Sequence, residues 1–225
     1  MQGNPKEDKS MHDFKSDLSQ EAVLSEYLDK LYTGKGIDFN RVSDLNKQHQ
    51  GIDIIIQIKA DEYLIDEKAQ LHYLNNDLPT FTFELSYFKN NRLKKGWLFD
   101  EKKLTQYYFL ITGIFLKKGK TKLSSSNDID KIKITSVNRS KLIEHLSSIN
   151  LGEEKLLGYD KELRKTDSFG KNTVPELNPN SEGLIFLTKQ LTEKPMNLQL
   201  RLEYLIKTKV AKKFHYVVPT SVIRK

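Results

Sequence analysis

The residues best suited to chemistry lie in the segment 51–70, GIDIIIQIKADEYLIDEKAQ. Isoleucines at alternate positions predict a strand with Asp53 on the face opposite the isoleucines at 52, 54, 56 and 58. A second predicted strand, 62–70, carries Asp66 and Lys68 two residues apart, so both point to one face. Charges on buried strands cost free energy unless something compensates them. A metal ion and a phosphate would supply that compensation.

The turn between these strands decides whether the three charged side chains meet. A two-residue turn at 60–61 would place Asp53 opposite Lys68, with Asp66 beside them on the same face. A register shift of one residue would move one strand's side chains to the other face and break the convergence. The prediction of a shared site therefore depends on the length of the turn.

Two carboxylates and an ammonium group suit phosphodiester hydrolysis. Mg²⁺, for which Mn²⁺ can substitute in a test tube, binds through one or two carboxylates together with water and phosphate oxygens. Asp53 and Asp66 are thus candidate metal ligands, and Lys68 would orient or deprotonate the attacking water. The alternative is a plain ion pair of Lys68 with either aspartate, because such cross-strand pairs are common and contribute little.

Two basic segments could contact the backbone of a nucleic acid. The net charge of +7 and the pI near 9.2 suggest an anionic partner. Segment 88–104 surrounds the only tryptophan with cations, and segment 207–225 contains no acidic residue. A charged hairpin tip above a packed tryptophan, and a solvated C-terminal surface, are the alternatives. The candidate nucleic-acid-binding residues are Arg92, Lys94, Lys95, Trp97, Lys212 and Lys213.

Hydrophobic periodicity predicts the elements that must position these residues. The further predicted elements are a helix over 17–33, a short strand over 37–43, strands over 80–88, 106–116, 131–137 and 184–191, and a helix over 139–151. Segment 196–210 fits either a helix or an alternating strand. This order predicts an α/β (α+β) fold around one mixed β-sheet.

The chain divides into four predicted parts. We expect a disordered or flexible N-terminus at 1–16 and a core at 17–151. A long polar loop at 152–182 would follow. Strands or a helix at 183–225 would complete or extend the same domain.

Several function classes lack support in the sequence. There is no cysteine, and the five histidines show no zinc-binding spacing. No P-loop, GxGxxG or GxSxG motif occurs. The chain has no run of about 18 apolar residues and no apolar secretory stretch near its start. We therefore expect a cytoplasmic protein without membrane association.

The charged hairpin resembles the PD-(D/E)XK nuclease superfamily, which has the restriction-endonuclease-like fold. In that family a helix carries an acidic residue, the first strand of a hairpin carries an aspartate, and the second carries an acidic-x-Lys triplet. The matching residues here are Asp53, Asp66 and Lys68. The sequences QGID and LIDEKAQ are similar to the pattern in Holliday-junction resolvases and several restriction enzymes. The resemblance covers roughly residues 17–115.

The resemblance implies a helical acidic residue, for which Glu21 and Glu26 are both candidates. We favour Glu21, because it shares a helical stripe with leucines and lies nearer the packed side. The alternatives are that Glu21 is only a surface charge, or that it only interacts with the helix dipole in the first turn. Gln70 continues the face of Asp66 and Lys68, so it would touch a metal-bound water or the substrate, or simply end the strand.

The family's properties set the functional expectation. They imply a restriction-endonuclease-like core, a mixed sheet flanked by helices with C-terminal additions. They also imply a Mg²⁺-dependent endonuclease acting on DNA, in defence, restriction, recombination or repair. A homodimer is left open, since many nucleases of this class cut both strands as dimers. The alternative is an inactive nuclease-like module that binds nucleic acid or protein.

Overall fold

A long N-terminal helix, α1 (Pro5–Gly34), covers one face of the larger of two sheets. The computed structural model describes residues 5–217, with side chains from Leu18 onward. Residues 5–16 are helical where we predicted a flexible segment, and residues 1–4 lie outside the described part. Extending an existing helix needs no new nucleus, so even this polar segment can continue it. Leu28 and Tyr32 are buried against the sheet one turn apart.

The larger sheet has six strands in the order β1-β2-β3-β6-β7-β11. Neighbouring strands pair antiparallel except β3 and β6, which are parallel. Its strands are β1 (Asp38–Arg41), β2 (Ile54–Ile58), β3 (Asp61–Ala69), β6 (Tyr107–Leu116), β7 (Ile129–Asn138) and β11 (Ala211–Tyr216).

The smaller sheet has five strands, all paired antiparallel, in the order β5-β4-β10-β9-β8. The prediction of one mixed sheet is therefore wrong, because the predicted strand at 80–88 joins a second sheet. It pairs with a strand from the C-terminal part of the chain, and local periodicity carries no information about so distant a partner. The strands are β4 (Thr80–Lys89), β5 (Arg92–Lys95), β8 (Gly170–Asn172), β9 (Gly183–Leu187) and β10 (Met196–Arg201).

Both faces of β6 are buried. Phe109 and Ile111 face the core beneath α1, whereas Tyr108 and Leu110 face the core formed with the smaller sheet. A strand buried on both faces reads as a continuous apolar run, as YYFLITGIFL does. The fold is thus α+β, with two sheets flanked by helices.

Four further α-helices complete the fold of the described residues. They are α2 (Leu45–His49), α3 (Arg139–Ser148), α4 (Glu153–Lys165) and α5 (Leu202–Lys207). Segment 196–210 contains both of its predicted alternatives, β10 followed by α5. Within the part that the structure describes, no helix is both long and apolar enough to span a membrane.

Helix α4 contradicts the predicted long loop at 152–182, and β8 also lies within that segment. The buried face of α4 includes Leu156 and Asp160. Asp160 Oδ1 accepts a hydrogen bond from Arg164 Nε at 2.6 Å. A buried ion pair compensates the charges, and it also masks the apolar stripe by which such a helix is normally recognised.

Candidate active site

The β2–β3 turn is formed by Lys59 and Ala60, one residue earlier than predicted. Ile58 pairs with Asp61, and Lys59 adopts a left-handed backbone conformation with φ of 59°. Continuing this register one residue beyond the start of β2 places Asp53 next to Asp66 rather than opposite Lys68 as predicted. The pairing has shifted by two residues, which preserves the face on which each side chain lies.

Asp53 lies where β2 separates from β3. Its backbone N–H donates to the carbonyl of Ile65 at 2.9 Å, and its Oδ2 accepts from the backbone N–H of Glu67 at 2.8 Å. The carboxylate therefore accepts a hydrogen bond from β3 that the backbone of a neighbouring strand would otherwise accept. This bond fixes the Asp53 side chain alongside the segment that contains Asp66 and Lys68.

Asp66 and Lys68 form an ion pair, with 2.9 Å between Oδ1 and Nζ. Asp66 is only 3% exposed. Burial raises its pKa from 3.8 to about 7; the nearby Lys68 ammonium opposes this increase, and the charge of Asp53 adds to it. The Asp66 carboxyl thus lies beside a second acidic group, Asp53, and a divalent cation would relieve their repulsion.

One cavity of about 420 Å³ is lined by the four residues that the sequence singled out for catalysis. Glu21 of α1, Asp53, Asp66 and Lys68 all contribute to it. Glu26 is exposed and pairs with Lys30 at 2.6 Å. Of the two candidate helical acids, the structure therefore brings Glu21 to the cavity.

Arg41 and Glu67 also line this cavity, and sequence analysis gave neither a role. Glu67 accepts hydrogen bonds from Arg41 Nη1 at 2.7 Å and from the Tyr32 hydroxyl at 2.6 Å. Burial raises the pKa of Glu67, and its bonds with Arg41 oppose that increase. Arg41 pairs in addition with Asp29 at 2.6 Å. The only sequence signal for this network was a charge within the short predicted strand 37–43.

The loop between β5 and β6 closes one side of the cavity. The Thr105 hydroxyl donates to the Gly51 carbonyl at 2.7 Å, and the Leu104 N–H donates to the Gln50 carbonyl at 2.8 Å. Gly51 has a φ of 76°, and a Cβ there would clash with Thr105 Oγ1 and lie 3.4 Å from Asp66 Oδ2. Position 51 therefore requires glycine, because the loop and the acidic pair both lie close to its backbone.

Trp97 does not form an open platform for base stacking. Its ring lies 4.9 Å from that of Tyr108 and 5.6 Å from that of Phe83, centroid to centroid. Lys68 Nζ lies 5.4 Å from the centroid of the Trp97 ring. The tryptophan is thus packed below the hairpin, the alternative that the sequence had left open, and it supports the proposed catalytic lysine.

Gln70 stands apart from the residues that line the cavity. Its Oε1 is buried and has no hydrogen-bond partner within the described residues. Glu84 of β4 also approaches the site, because the ammonium groups of Lys68 and Lys103 act on it electrostatically. Burial and the charge of Glu193 nevertheless raise the pKa of Glu84.

The structure separates the candidate nucleic-acid-binding residues. Arg92 and Lys94 are exposed on β5 and line a surface cavity of their own with Tyr87 and Lys89. Lys95 pairs with Glu101 at 2.5 Å and Glu153 at 2.8 Å, so carboxylates already compensate its charge. The two lysines of β11, Lys212 and Lys213, are exposed at the opposite edge of the larger sheet from β1.

The acidic pair, Asp53 and Asp66, suits a metal ion that takes only one or two of its ligands from the protein. Among the side chains that the structure describes, those of residues 18–217, no group of three or more His, Asp or Glu is placed to hold a metal ion. Mg²⁺ commonly binds through only one or two carboxylates, with water and substrate phosphates completing its shell. The neighbouring carboxylates of Asp53 and the buried Asp66 are suited to that smaller set.

Comparison with known proteins assigns no family to this chain. No family model, no curated protein and no solved structure matches it. The functional conclusion must therefore be drawn from the site itself.

Proposed function

We propose that the protein is a divalent-metal-dependent nuclease with a restriction-endonuclease-like core that hydrolyses phosphodiester bonds in DNA. The observation that carries this proposal is the cavity shared by Glu21, Asp53, Asp66 and Lys68, at the point where β2 leaves β3. Acids from a helix and two strands, together with one lysine, form a set suited to general acid–base and metal-assisted hydrolysis.

Asp53 and Asp66 would hold Mg²⁺, or Mn²⁺ in its place. When bound, the metal supplies a water of lowered pKa and stabilises the negative charge that develops on the phosphate. The two carboxylates must both be ionised to act as ligands. Ionisation of Asp66 costs free energy below neutral pH, because burial raises its pKa to about 7.

Lys68 would orient the attacking water and compensate developing charge. Its ammonium contacts Asp66 Oδ1 and lies over the Trp97 ring, so its direction is fixed from two sides. Glu21 would serve as the second acidic helper from helix α1, which also lines the cavity. The exposed cations Arg92 and Lys94 would contact the DNA backbone outside the cavity.

A non-catalytic module that binds nucleic acid is the second candidate. The Asp66–Lys68 ion pair favours it, because the pair already compensates one buried carboxylate without a metal. The absence of a three-residue metal-binding group among the described residues points the same way. Cytoplasmic location and a homodimer stay predictions from the sequence.

Cleavage assays separate the two candidates. Purified protein is incubated with supercoiled plasmid or single-stranded DNA in Mg²⁺, Mn²⁺ or EDTA. We expect metal-dependent cleavage that Asp66→Asn and Lys68→Met abolish while circular dichroism stays unchanged. Asp61→Asn, at an exposed position of the same strand, is the matched control and should cleave normally. Binding without cleavage by the wild type under every condition would favour the non-catalytic module.

A further inference from the structure

A second lysine, Lys103, lines the same cavity from the loop between β5 and β6. Its Nζ donates a hydrogen bond to the backbone carbonyl of His49 at 2.7 Å. Within the described part of the chain, Lys103 forms no ion pair. The other two cations that line the cavity differ in this respect, because Lys68 pairs with Asp66 and Arg41 pairs with Asp29 and Glu67.

The Lys103 side chain passes close to the acidic pair. A Cβ built on Gly51 would lie 3.2 Å from Lys103 Cδ and 3.4 Å from Asp66 Oδ2. The lysine stem and the carboxylate therefore both lie close to the same glycine. A phosphate bound in the cavity next to the acidic pair would therefore come within reach of the Lys103 ammonium.

Arg139 holds the Lys103 loop in place. Its guanidinium donates four hydrogen bonds to the carbonyls of Leu98, Asp100 and Lys103, at distances from 2.9 to 3.2 Å. Thr105 anchors the end of the loop to Gly51. The ammonium is thus presented by a fixed backbone, which reduces the entropy lost when it binds a ligand.

We propose that Lys103 binds a backbone phosphate of the nucleic acid next to the acidic pair. This inference rests on the proposed function, because it names a further substrate contact of the same cavity. A carbonyl is a neutral acceptor, and a hydrogen bond from an ammonium group to a phosphate is stronger. Substrate phosphate would therefore displace the His49 carbonyl from Lys103 without breaking an ion pair.

Binding measured without turnover tests this inference. Fluorescence anisotropy is recorded for labelled single-stranded and duplex oligonucleotides in EDTA over a range of salt concentrations. For Lys103→Met we expect affinity to fall roughly threefold to tenfold, with a salt slope shallower by about 0.7 for single strands or 0.9 for duplex. Lys102→Met is the matched control: this exposed neighbour lies outside the cavity lining and should keep wild-type affinity and slope.

The outcomes separate this inference from the proposed function. Unchanged affinity and slope in Lys103→Met would overturn it, even if the wild type cleaves DNA. A binding defect in a protein that never cleaves would support it while the catalytic proposal fails. Absence of nucleic-acid binding by the wild type would overturn both. If Lys103→Met lowers the melting temperature, the comparison of Lys103→Arg with Lys103→Gln decides, since only Lys103→Arg should restore binding.

Discussion

The carboxylate of Asp53 accepts a hydrogen bond from the backbone N–H of Glu67, with 2.8 Å between Oδ2 and N. Because β2 begins only at Ile54, its backbone does not continue beside this part of β3. The Asp53 side chain accepts the hydrogen bond in its place. The bond holds one acidic group beside the strand that carries another, Asp66. A hydrogen bond to the backbone of the sheet therefore holds these two acidic groups close together.

Replacement of Asp66 by asparagine should stabilise the protein more at high pH than at low pH. The pKa of Asp66 is about 7 in the folded protein against an ordinary value of 3.8, so the folded state binds this proton more tightly than the unfolded chain. The resulting stability is present below about pH 4 and is lost as pH rises through about 7.

Urea denaturation across this pH range measures the effect. We expect the unfolding free energy of Asp66→Asn, relative to wild type, to increase by about 1–4 kcal/mol from pH 4 to pH 8. The exposed control Asp61→Asn should show no such trend. A difference for Asp66→Asn that stays constant with pH would contradict the burial of an ionisable acid at this position.

Gly51→Ala should disrupt the site more than a comparable change elsewhere. The substitution combines a left-handed φ of 76° with a clash against Thr105 Oγ1. We expect a loss of unfolding free energy of about 2–4 kcal/mol and strongly reduced cleavage. Gly119→Ala is the control, because its φ is 85° but nothing lies within 4 Å of the added Cβ, so only backbone strain of about 1 kcal/mol applies. Equal destabilisation of both variants would argue against close packing at Gly51.

Glu21→Gln should lower cleavage by about 10- to 100-fold, because polar groups that support a metal site have effects of this size. Glu21 lines the cavity, whereas Glu26 is not among its lining residues and pairs with Lys30. Glu26→Gln should therefore leave initial cleavage rates within error of the wild type. The reverse pattern would show that the other helical acid serves the site.

Arg139→Lys should loosen the loop that presents Lys103. Lysine keeps the charge but lacks the planar fork that reaches the carbonyls of Leu98, Asp100 and Lys103. We expect a loss of unfolding free energy of about 1–3 kcal/mol and faster hydrogen exchange at the Leu104 amide. Lys141→Met, at an exposed position on the same helix, should change neither. Unaltered exchange at Leu104 would contradict the clamping role of Arg139.

The shared face of the three hairpin side chains could be predicted from the sequence. Successive residues of a strand point to alternate faces, so the face depends only on whether a position is odd or even. The turn lies at Lys59 and Ala60 rather than at 60–61, and Asp53 accordingly lies next to Asp66 rather than Lys68. A shift of two residues keeps all three side chains on their predicted face. Lysine in a left-handed turn is an unusual choice, so no local rule pointed to that position.

The second sheet and helix α4 could not be predicted from such a local sequence pattern. The pairing of β4 with β10 joins distant segments, which a local pattern cannot reveal. In α4 the buried face contains Asp160, whose ion pair with Arg164 disguises an amphipathic helix as a polar loop. The roles of Arg41 and Arg139 also depend on contacts with distant residues. The second sheet and the two arginines were therefore missed because their partners lie far along the chain, whereas α4 was missed because of a local ion pair on its buried face.

An anomalous difference map from a crystal soaked in Mn²⁺ tests the central claim most directly. We predict a peak about 2 Å from carboxylate oxygens of both Asp53 and Asp66, and its loss in Asp66→Asn crystals soaked in the same way. A map from well-soaked crystals without density between these two residues, or with Mn²⁺ bound only elsewhere, would contradict the account.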